Sequence, residues 1–425
     1  MSALGLVEGV GRTRYRDDAF NDSEYPLDEK IGLLNIDGSR SRYTPVFAWN
    51  VAQLYAELTE ADAAAAIEAM LGIEIDKTQV AIVAQAVAEY YKKPNIAITM
   101  PVQESVVEDP EEAGEGTGDE ACATKASEGF LAEKLRELDA RPDRDAIIQA
   151  AVEGRLEGTE GGQAAQVALY LSSDGTGVPG LRRELSDNGK SGGKAGTFEA
   201  KIGCAFQQGY TGDGMPVLDG GNIVRIPETT KYTGTTEKIG GFYPQFAEFA
   251  IQNGMLNAAQ IVFLTDGAVW LRNMGMSLCP TAISIVDFYH AAEHLDAVIG
   301  ILRFHSPEKR EEFVYTCHRQ LEFGDIEGLT ASIRGKTNRS NEETVEKKLA
   351  YFERNADRMR YGLFRAAGLF IGSGVIEAAC KTIVGKRLKN AGMHWSKENA
   401  NGVIALRCAI CSNEYTVPNS SQDVA

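Results

Sequence analysis

The chain has 425 residues, 44% of them hydrophobic and 24% charged, a composition typical of globular proteins with buried cores. No apolar run of about 18 residues predicts a membrane span, and the N-terminus lacks the basic start and apolar stretch of a secretion signal. Seven cysteines are a sparse and odd number, which favours free thiols in a reducing compartment over a disulfide framework. We therefore expect a cytoplasmic protein with no membrane segment.

The charge is strongly acidic and unevenly distributed. The net charge of −17 at pH 7 argues against a protein that coats nucleic acid, because generic DNA affinity comes from Lys and Arg that neutralise phosphates. Residues 104–120 carry about eight net negative charges, whereas residues 331–410 carry about eight net positive charges. The basic C-terminal part is therefore the candidate surface for a polyanion.

The first periodic pattern is helical and runs from Val46 to Lys93. Thr59 is placed to cap one helix, Gly72 to end it, and Asp76 to cap a second. Two helices joined by a Gly-containing turn are typical of a helix-turn-helix, and equally of an ordinary helical hairpin. We assign residues 1–100 to a mostly helical N-terminal domain with a candidate helix-turn-helix.

An acidic stretch at residues 101–126 predicts a linker, and strands alternate with helices after it. Five segments have the short apolar pattern of strands: QVALYLSSDG, EAKIGCAFQQ, GNIVRIPE, AQIVFLTDG and TAISIVDFYH. A helical segment, PQFAEFAIQNGM, lies between the third and the fourth. Three strands, a helix, and two strands that each lead into a helix are the order of an RNase H-like α/β domain.

We assign this RNase H-like domain to residues 127–290 and 366–415. Residues 291–365 are helical and charged, and we predict that they form a helical insertion within it. Residues 416–425 show no pattern and are expected to be a disordered tail. The predicted fold class is therefore α/β, with a helical insertion in the RNase H-like domain and a mostly helical domain before it.

Two of the predicted strands end in Ser/Thr-Asp-Gly, at Asp174 and Asp266. The glycine lets the backbone turn directly after the carboxylate, and open α/β sheets bind ligands at the carboxyl ends of their strands. Asp-Gly is also a common turn sequence. A third acid, Glu377, lies at the start of a predicted helix after a Gly-Ser-Gly segment. Three carboxylates are hard oxygen donors of the kind that Mg²⁺ or Mn²⁺ prefers.

The helix that carries Glu377 continues into a basic segment, which we predict to bind DNA phosphate. Its basic residues are Lys381, Lys386, Arg387 and Lys389. Trp395, in the Gly/His/Trp loop that follows, and Trp270 are candidates for stacking on DNA bases, although burial is the more common role of tryptophan.

Six segments in the same order cover most of residues 167–415. They are SSDGTGVPG, FEAKIGCAF, LTDGAVWL, IVDFYHAAEHL, YFERNADRMRYG and GLFIGSGVIEAACKTIVGKRLKNAGMHWS. Together they resemble the Kra-type insertion-sequence transposases, relatives of the Mutator-like DDE transposases. The resemblance implies an RNase H-like catalytic domain in which Asp174, Asp266 and Glu377 are the catalytic, metal-binding residues. It also implies supporting roles for two residues between the second Asp and the Glu, namely Asp287 and His290.

The same resemblance implies a function and partners. The expected reaction is cleavage and strand transfer of DNA at insertion-sequence ends, with Mg²⁺ or Mn²⁺ as the cofactor. The expected partners are the terminal repeats, the target DNA and further copies of the chain in a homo-oligomer on DNA. A transposase-derived DNA-binding protein without activity is the alternative from a different functional class.

Two short motifs favour other chemistry. The sequence His290-Ala-Ala-Glu-His294 matches the zinc-binding helix of inverted-zincin peptidases, with Glu293 as the base. That interpretation leaves Asp174 and Asp266 unexplained, so we rank a zinc peptidase below a transposase. Cys408 and Cys411 form a C-x-x-C pair, but without a second pair at suitable spacing we predict that they are packing residues.

Overall fold

The computed structural model describes residues 45–92, 130–153, 168–181, 196–209, 218–219, 222–258 and 260–415, with two short strands at 15–17 and 22–24. The predicted linker at 101–126 and the predicted tail at 416–425 lie outside these residues. None of the helices in the described ranges combines the length and apolar character that crossing a membrane requires.

The elements before the central sheet are mainly helical. They are β1 (Tyr15–Asp17), β2 (Asp22–Glu24), α1 (Pro45–Glu57), α2 (Glu60–Leu71), α3 (Lys77–Lys92), α4 (Phe130–Ala140) and α5 (Arg144–Val152). The predicted caps are present: the Thr59 hydroxyl accepts from the Asp62 N–H at 3.1 Å, and Gly72 ends α2 with a left-handed φ of 65°. The Asp76 carboxylate accepts from the Thr78 N–H at 2.7 Å, so local capping sets the boundary between α2 and α3.

The next part contains the strands and the helices between them. They are β3 (Ala168–Pro179), β4 (Thr197–Gln208), β5 (Leu218–Asp219), β6 (Asn222–Ile223), β7 (Arg225–Thr235), α6 (Ile239–Gln252), β8 (Gln260–Thr265), α7 (Val269–Leu278) and β9 (Ile283–Val286). The main sheet has the strand order β7-β4-β3-β8-β9. Strands β3, β8 and β9 are parallel, and β4 is antiparallel to both of its neighbours. The molecule is thus a mixed α/β protein.

All five strand segments predicted from the sequence are strands, but two have different bounds. The first does not end at Asp174; it continues to Pro179 because it pairs with β4 along its whole length. The third starts at Arg225 and extends to Thr235, beyond the predicted apolar segment. This strand lies at one edge of the sheet and is only partly buried, and its second half is mostly polar, so it lacked the apolar pattern that predicts a strand.

Helices form the rest of the described chain. They are α8 (Phe288–Ile299), α9 (Pro307–Phe323), α10 (Ile326–Arg334), α11 (Glu342–Arg354), α12 (Tyr361–Ala366), α13 (Gly374–Ala379), α14 (Lys386–Leu388) and α15 (Lys397–Cys411). The 291–365 segment is helical, as predicted. A π-helical turn at Cys380–Gly385 joins α13 to α14. Sequence periodicity did not indicate this turn, since π-helices are rare single turns within α-helical segments.

The N-terminal helices and the C-terminal helices share one hydrophobic core. Helix α3 packs on α15, and α1 packs on α15 and α14. Buried residues of α1 and α2, such as Trp49 and Ile67, belong to the same cluster as Ile202 of β4 and Val403 of α15. The predicted N-terminal domain therefore lies against the sheet domain and buries its apolar face there.

Candidate active site at the ends of adjacent strands

Strand register brings the two Asp-Gly acids side by side. In the parallel pair of β3 and β8, the last partners are Ser172 and Leu264, and Asp174 and Asp266 each follow two residues later. Since side chains alternate along a strand, both acids follow at equivalent positions just beyond this parallel pairing, with Asp174 inside β3 and Asp266 directly after β8. Asp287 follows β9 directly, one residue after the Thr265–Val286 pair, which places a third acid at the same edge.

Asp174 is a partly buried carboxylate with two local donors. Its Oδ1 accepts from the Gly175 N–H at 2.7 Å, and its Oδ2 accepts from the Cys380 thiol at 3.6 Å. Burial raises the pKa of Asp174 above its ordinary value, and the nearby charges of Asp266 and Glu377 raise it further. The three predicted catalytic acids are therefore close enough to influence one another electrostatically.

Asp266 lies at a tight turn between β8 and α7. Its Oδ1 accepts from the Ala268 N–H at 2.8 Å, and Gly267 has a left-handed φ of 92°, which a side chain at this position would strain. The carbonyl oxygen of Asp266 accepts from the Tyr351 hydroxyl at 3.0 Å. The predicted role of glycine after this acid is confirmed.

Glu377 reaches the site from α13, which packs on β3 and β4. Its Oε1 accepts from the Ser373 hydroxyl at 3.5 Å, and its Oε2 lies 3.7 Å from the Lys381 ammonium. The side chain is 47% exposed, so this ion pair is largely in water and contributes little to stability. The Glu377 carboxylate is thus accessible to solvent and to a ligand at the site.

The donor set is compatible with a hard divalent cation. Burial is the main cause of the raised pKa of Asp174, and the negative charges of Asp266 and Glu377 repel that of Asp174 and raise its pKa further. A divalent cation would remove this repulsion. In the described ranges, however, no three His, Cys, Asp or Glu side chains are arranged to hold a metal ion. The three acids are therefore neighbours, but their carboxylates do not converge on one point as the ligands of a bound metal ion would.

Asp287 connects β9 to the start of α13, the helix that carries Glu377. It is fully buried; its Oδ1 accepts from the His290 N–H at 2.6 Å and caps α8, and its Oδ2 accepts from the Ser373 N–H. Both carboxylate oxygens are thus occupied within the protein, so Asp287 orders the surroundings of the site.

The two histidines of the His-Ala-Ala-Glu-His motif lie on α8 beside this edge. Their rings meet edge to face with centroids 4.9 Å apart, and His294 stacks on Tyr351 at 4.0 Å. Burial and the neighbouring His290 lower the pKa of His294. Glu293 is mostly exposed and its Oε2 lies 3.9 Å from His290 Nδ1. Within the described residues these side chains are not part of a three-ligand metal group.

The predicted DNA-binding residues divide into exposed and buried ones. Lys381, Lys386 and Lys389 are exposed, and the Lys389 ammonium donates to the Thr176 hydroxyl at 2.6 Å. Because Thr176 is two residues beyond Asp174 on β3, Lys389 places a positive charge beside the acids. These three lysines are available to an anionic ligand.

Arg387 and Trp395 do not fit the predicted role in DNA binding. The Arg387 side chain is fully buried, donates to the Tyr55 carbonyl of α1 at 3.0 Å, and lies 4.7 Å from the Trp395 ring. Trp395 is 6% exposed and its Nε1 donates to the Leu388 carbonyl. As a correction, both residues pack between the C-terminal helices and α1 and cannot contact DNA in this structure.

A second buried arginine binds the same end of α1. Arg407 donates to the Ala56 carbonyl at 2.6 Å and lies 2.9 Å from a Glu57 carboxylate oxygen. Helix α1 has no basic residue in its last turn, so the two arginines satisfy carbonyls that a helix end leaves without partners. Cys408 and Cys411, next to Arg407 on α15, are unpaired thiols, consistent with packing.

We expect Arg387→Ala to lower the free energy of unfolding by about 3 kcal/mol, because it leaves buried carbonyls and aromatic faces without their cation. Lys386→Ala, at the exposed neighbour, should change it by less than about 0.5 kcal/mol. Urea titration followed by tryptophan fluorescence measures both. Equal effects of the two variants would contradict the packing role of Arg387.

Sequence reasoning did not identify three contributors to the site, which are Cys380, Tyr351 and Arg358. No local sequence pattern distinguishes any of the three from its neighbours. The Arg358 guanidinium donates to the Thr265 and Ser284 hydroxyls at 2.7 and 2.8 Å. It therefore holds β8 and β9 together just before their acids.

No protein-family model matches the chain, and no curated protein matches it. The functional interpretation consequently depends on the residues and geometry of the site.

Proposed function

We propose that the chain is a DDE-type transposase with an RNase H-like catalytic domain, which cleaves DNA at insertion-sequence ends and transfers the strands. The observation that carries the proposal is the placement of Asp174 on β3 and Asp266 directly after the adjacent parallel strand β8, with Glu377 near enough to raise the pKa of Asp174. A structural role does not explain this arrangement, since packing alone gains nothing from gathering unneutralised carboxylates.

In this proposal Asp174, Asp266 and Glu377 hold Mg²⁺ or Mn²⁺. When bound, the metal supplies activation of the attacking oxygen and stabilisation of the leaving oxygen. The protein orients the carboxylates through three contacts: Gly175 N–H to Asp174, Ala268 N–H to Asp266, and Ser373 hydroxyl to Glu377. Asp287 and His290 keep the supporting roles expected of them, at the start of α8.

DNA is the proposed polyanionic partner, and the exposed lysines beside the acids are its proposed phosphate contacts. Lys381, Lys386 and Lys389 lie on or next to the π-helical turn and α14. Two of them lie beside the acids, because Lys381 pairs with Glu377 and Lys389 donates to Thr176. We also propose that the chain forms a homo-oligomer on DNA and acts in the cytoplasm.

Recognition of end sequences is assigned to α3. Its apolar side packs on α1 and α15, whereas Thr78, Gln79 and Ile82 near its N-terminus are exposed. In a helix-turn-helix, the N-terminal residues of the second helix contact base edges. Nearby acids such as Glu74 and Asp76 are exposed as well, so phosphate contacts must come mainly from elsewhere.

We expect Lys386→Ala with Lys389→Ala to weaken binding to every DNA sequence alike and to reduce the salt slope by roughly 1–2, because phosphate contacts carry no sequence information. Changing Thr78 and Gln79 to Ala should instead reduce the ratio of end to random affinity. Gel-shift titrations at several salt concentrations separate the two effects. If the α3 variants lose affinity uniformly and keep the ratio, recognition lies in another segment.

The test of the proposal is nicking of a supercoiled plasmid by the purified chain with and without divalent metal. Metal-dependent nicking supports the transposase. Sequence-selective DNA binding by a chain that never nicks would instead identify a DNA-binding protein, the alternative from a different class.

A further inference from the structure

The helical insertion contacts the turn that carries Asp266. Helix α11 packs on α8, and the hydroxyl of its Tyr351 donates to the Asp266 carbonyl oxygen at 3.0 Å. Residue 351 is separated from residue 266 by 85 positions in the chain. The insertion therefore reaches directly to one of the proposed metal-binding residues.

The Tyr351 ring also covers the glycine after Asp266. A Cβ built on Gly267 would lie 3.0 Å from both the ring and the hydroxyl of Tyr351, so the tyrosine occupies the space beside the turn. At that distance a larger residue would displace the ring. The left-handed φ of Gly267 and the tyrosine thus form one tightly packed unit.

The same ring is held on α8 and within α11. It stacks on the His294 imidazole with centroids 4.0 Å apart and a 20° interplanar angle, and it meets Phe352 edge to face at 5.3 Å. Aromatic packing of this kind restricts a side chain to one orientation. Tyr351 therefore presents its hydroxyl to Asp266 from a fixed position.

We propose that Tyr351 is a positioning residue for Asp266. By holding the backbone carbonyl of Asp266 and the turn at Gly267, Tyr351 sets the direction of the Asp266 carboxylate. The inference rests on the proposed function, since it gives the helical insertion a part in organising the metal-binding site. Hydrogen bonds to metal-ligating side chains are worth about 10-fold to 100-fold in metal affinity or activity, and the Tyr351 bond acts one step behind that, on the backbone carbonyl of Asp266, so we expect the lower end of this range.

The experiment compares Tyr351→Phe with Tyr315→Phe in the full chain. Tyr351→Phe removes one hydroxyl and keeps the ring that packs on His294, so the fold should be retained. Tyr315 is 68% exposed on α9 of the same insertion, which makes it a matched control for the same change. Two readouts are measured: Mn²⁺ affinity, from the free Mn²⁺ signal in electron paramagnetic resonance, and the Mn²⁺ dependence of plasmid nicking.

Tyr351→Phe is expected to weaken Mn²⁺ binding about 10-fold and to shift the nicking curve to higher Mn²⁺ by a similar factor. Its Tm should stay near that of the wild type, and Tyr315→Phe should match the wild type in both readouts. If the wild type nicks DNA and Tyr351→Phe has unchanged Mn²⁺ affinity, the inference is overturned while the proposed function stands. If the wild type neither binds Mn²⁺ nor nicks, the proposed function fails and the inference fails with it.

Discussion

Asp174→Asn, Asp266→Asn and Glu377→Gln are each expected to remove DNA cleavage while leaving DNA binding nearly intact. Each amide keeps the shape of the side chain but loses the negative charge that would hold the metal, so the rate should fall by on the order of 10²–10³-fold or more. Plasmid nicking measures the loss. Gel-shift titration of the same preparations measures the binding that remains.

Asp357→Asn is the matched control for these variants. Asp357 is exposed at the end of the helical insertion and should nick like the wild type. Nicking at the wild-type rate by Asp174→Asn would exclude the assignment of the three acids.

A stability measurement tests whether the loss of nicking in Asp174→Asn is due to unfolding. Burial and the negative charges of Asp266 and Glu377 raise the pKa of Asp174. Its ionised form is therefore disfavoured in the folded state. The stability that its protonated form contributes is complete below the unfolded pKa and is lost as pH rises through the higher folded pKa. At pH 7 in chelator, the Tm of Asp174→Asn should therefore equal or exceed that of the wild type.

Nicking is expected to require Mg²⁺ or Mn²⁺ and to disappear in EDTA, because carboxylate oxygens are the only donors that the three acids offer. Adding back excess Mg²⁺ should restore the rate. The assay uses supercoiled plasmid and wild-type protein at one ionic strength, so that DNA affinity stays constant. Full activity in chelator would be incompatible with metal-dependent cleavage.

Metal binding has a second readout that is independent of activity. An ion that binds only the folded state raises the free energy of unfolding, by roughly 2.7 kcal/mol when the ion is at 100 times its Kd. Tm rises as a consequence. Mg²⁺ or Mn²⁺ should raise the Tm of the wild type, and the rise should be much smaller for Asp266→Asn. Zinc-dependent peptide cleavage that disappears in Glu293→Gln would instead favour the zinc peptidase.

Much of the local structure was predictable from the sequence. Thr59 and Asp76 cap their helices because a side-chain oxygen can accept a backbone N–H only two or three residues away. The five strands were recognisable from short apolar segments, since four of them are largely buried. Asp266 follows the end of β8 as predicted, whereas Asp174 lies within β3, which continues to Pro179, so only the register of the parallel pair brings the two acids together.

The environment of each side chain was decided by the tertiary structure. Arg387 and Lys386 are adjacent in the basic segment, yet only Lys386 faces solvent. The partner of Arg387 is the Tyr55 carbonyl, 332 residues away in the chain. Tyr351 meets Asp266 across 85 residues. Local patterns report only which neighbours along the chain share a face, whereas burial and hydrogen bonding at these positions depend on packing between distant segments.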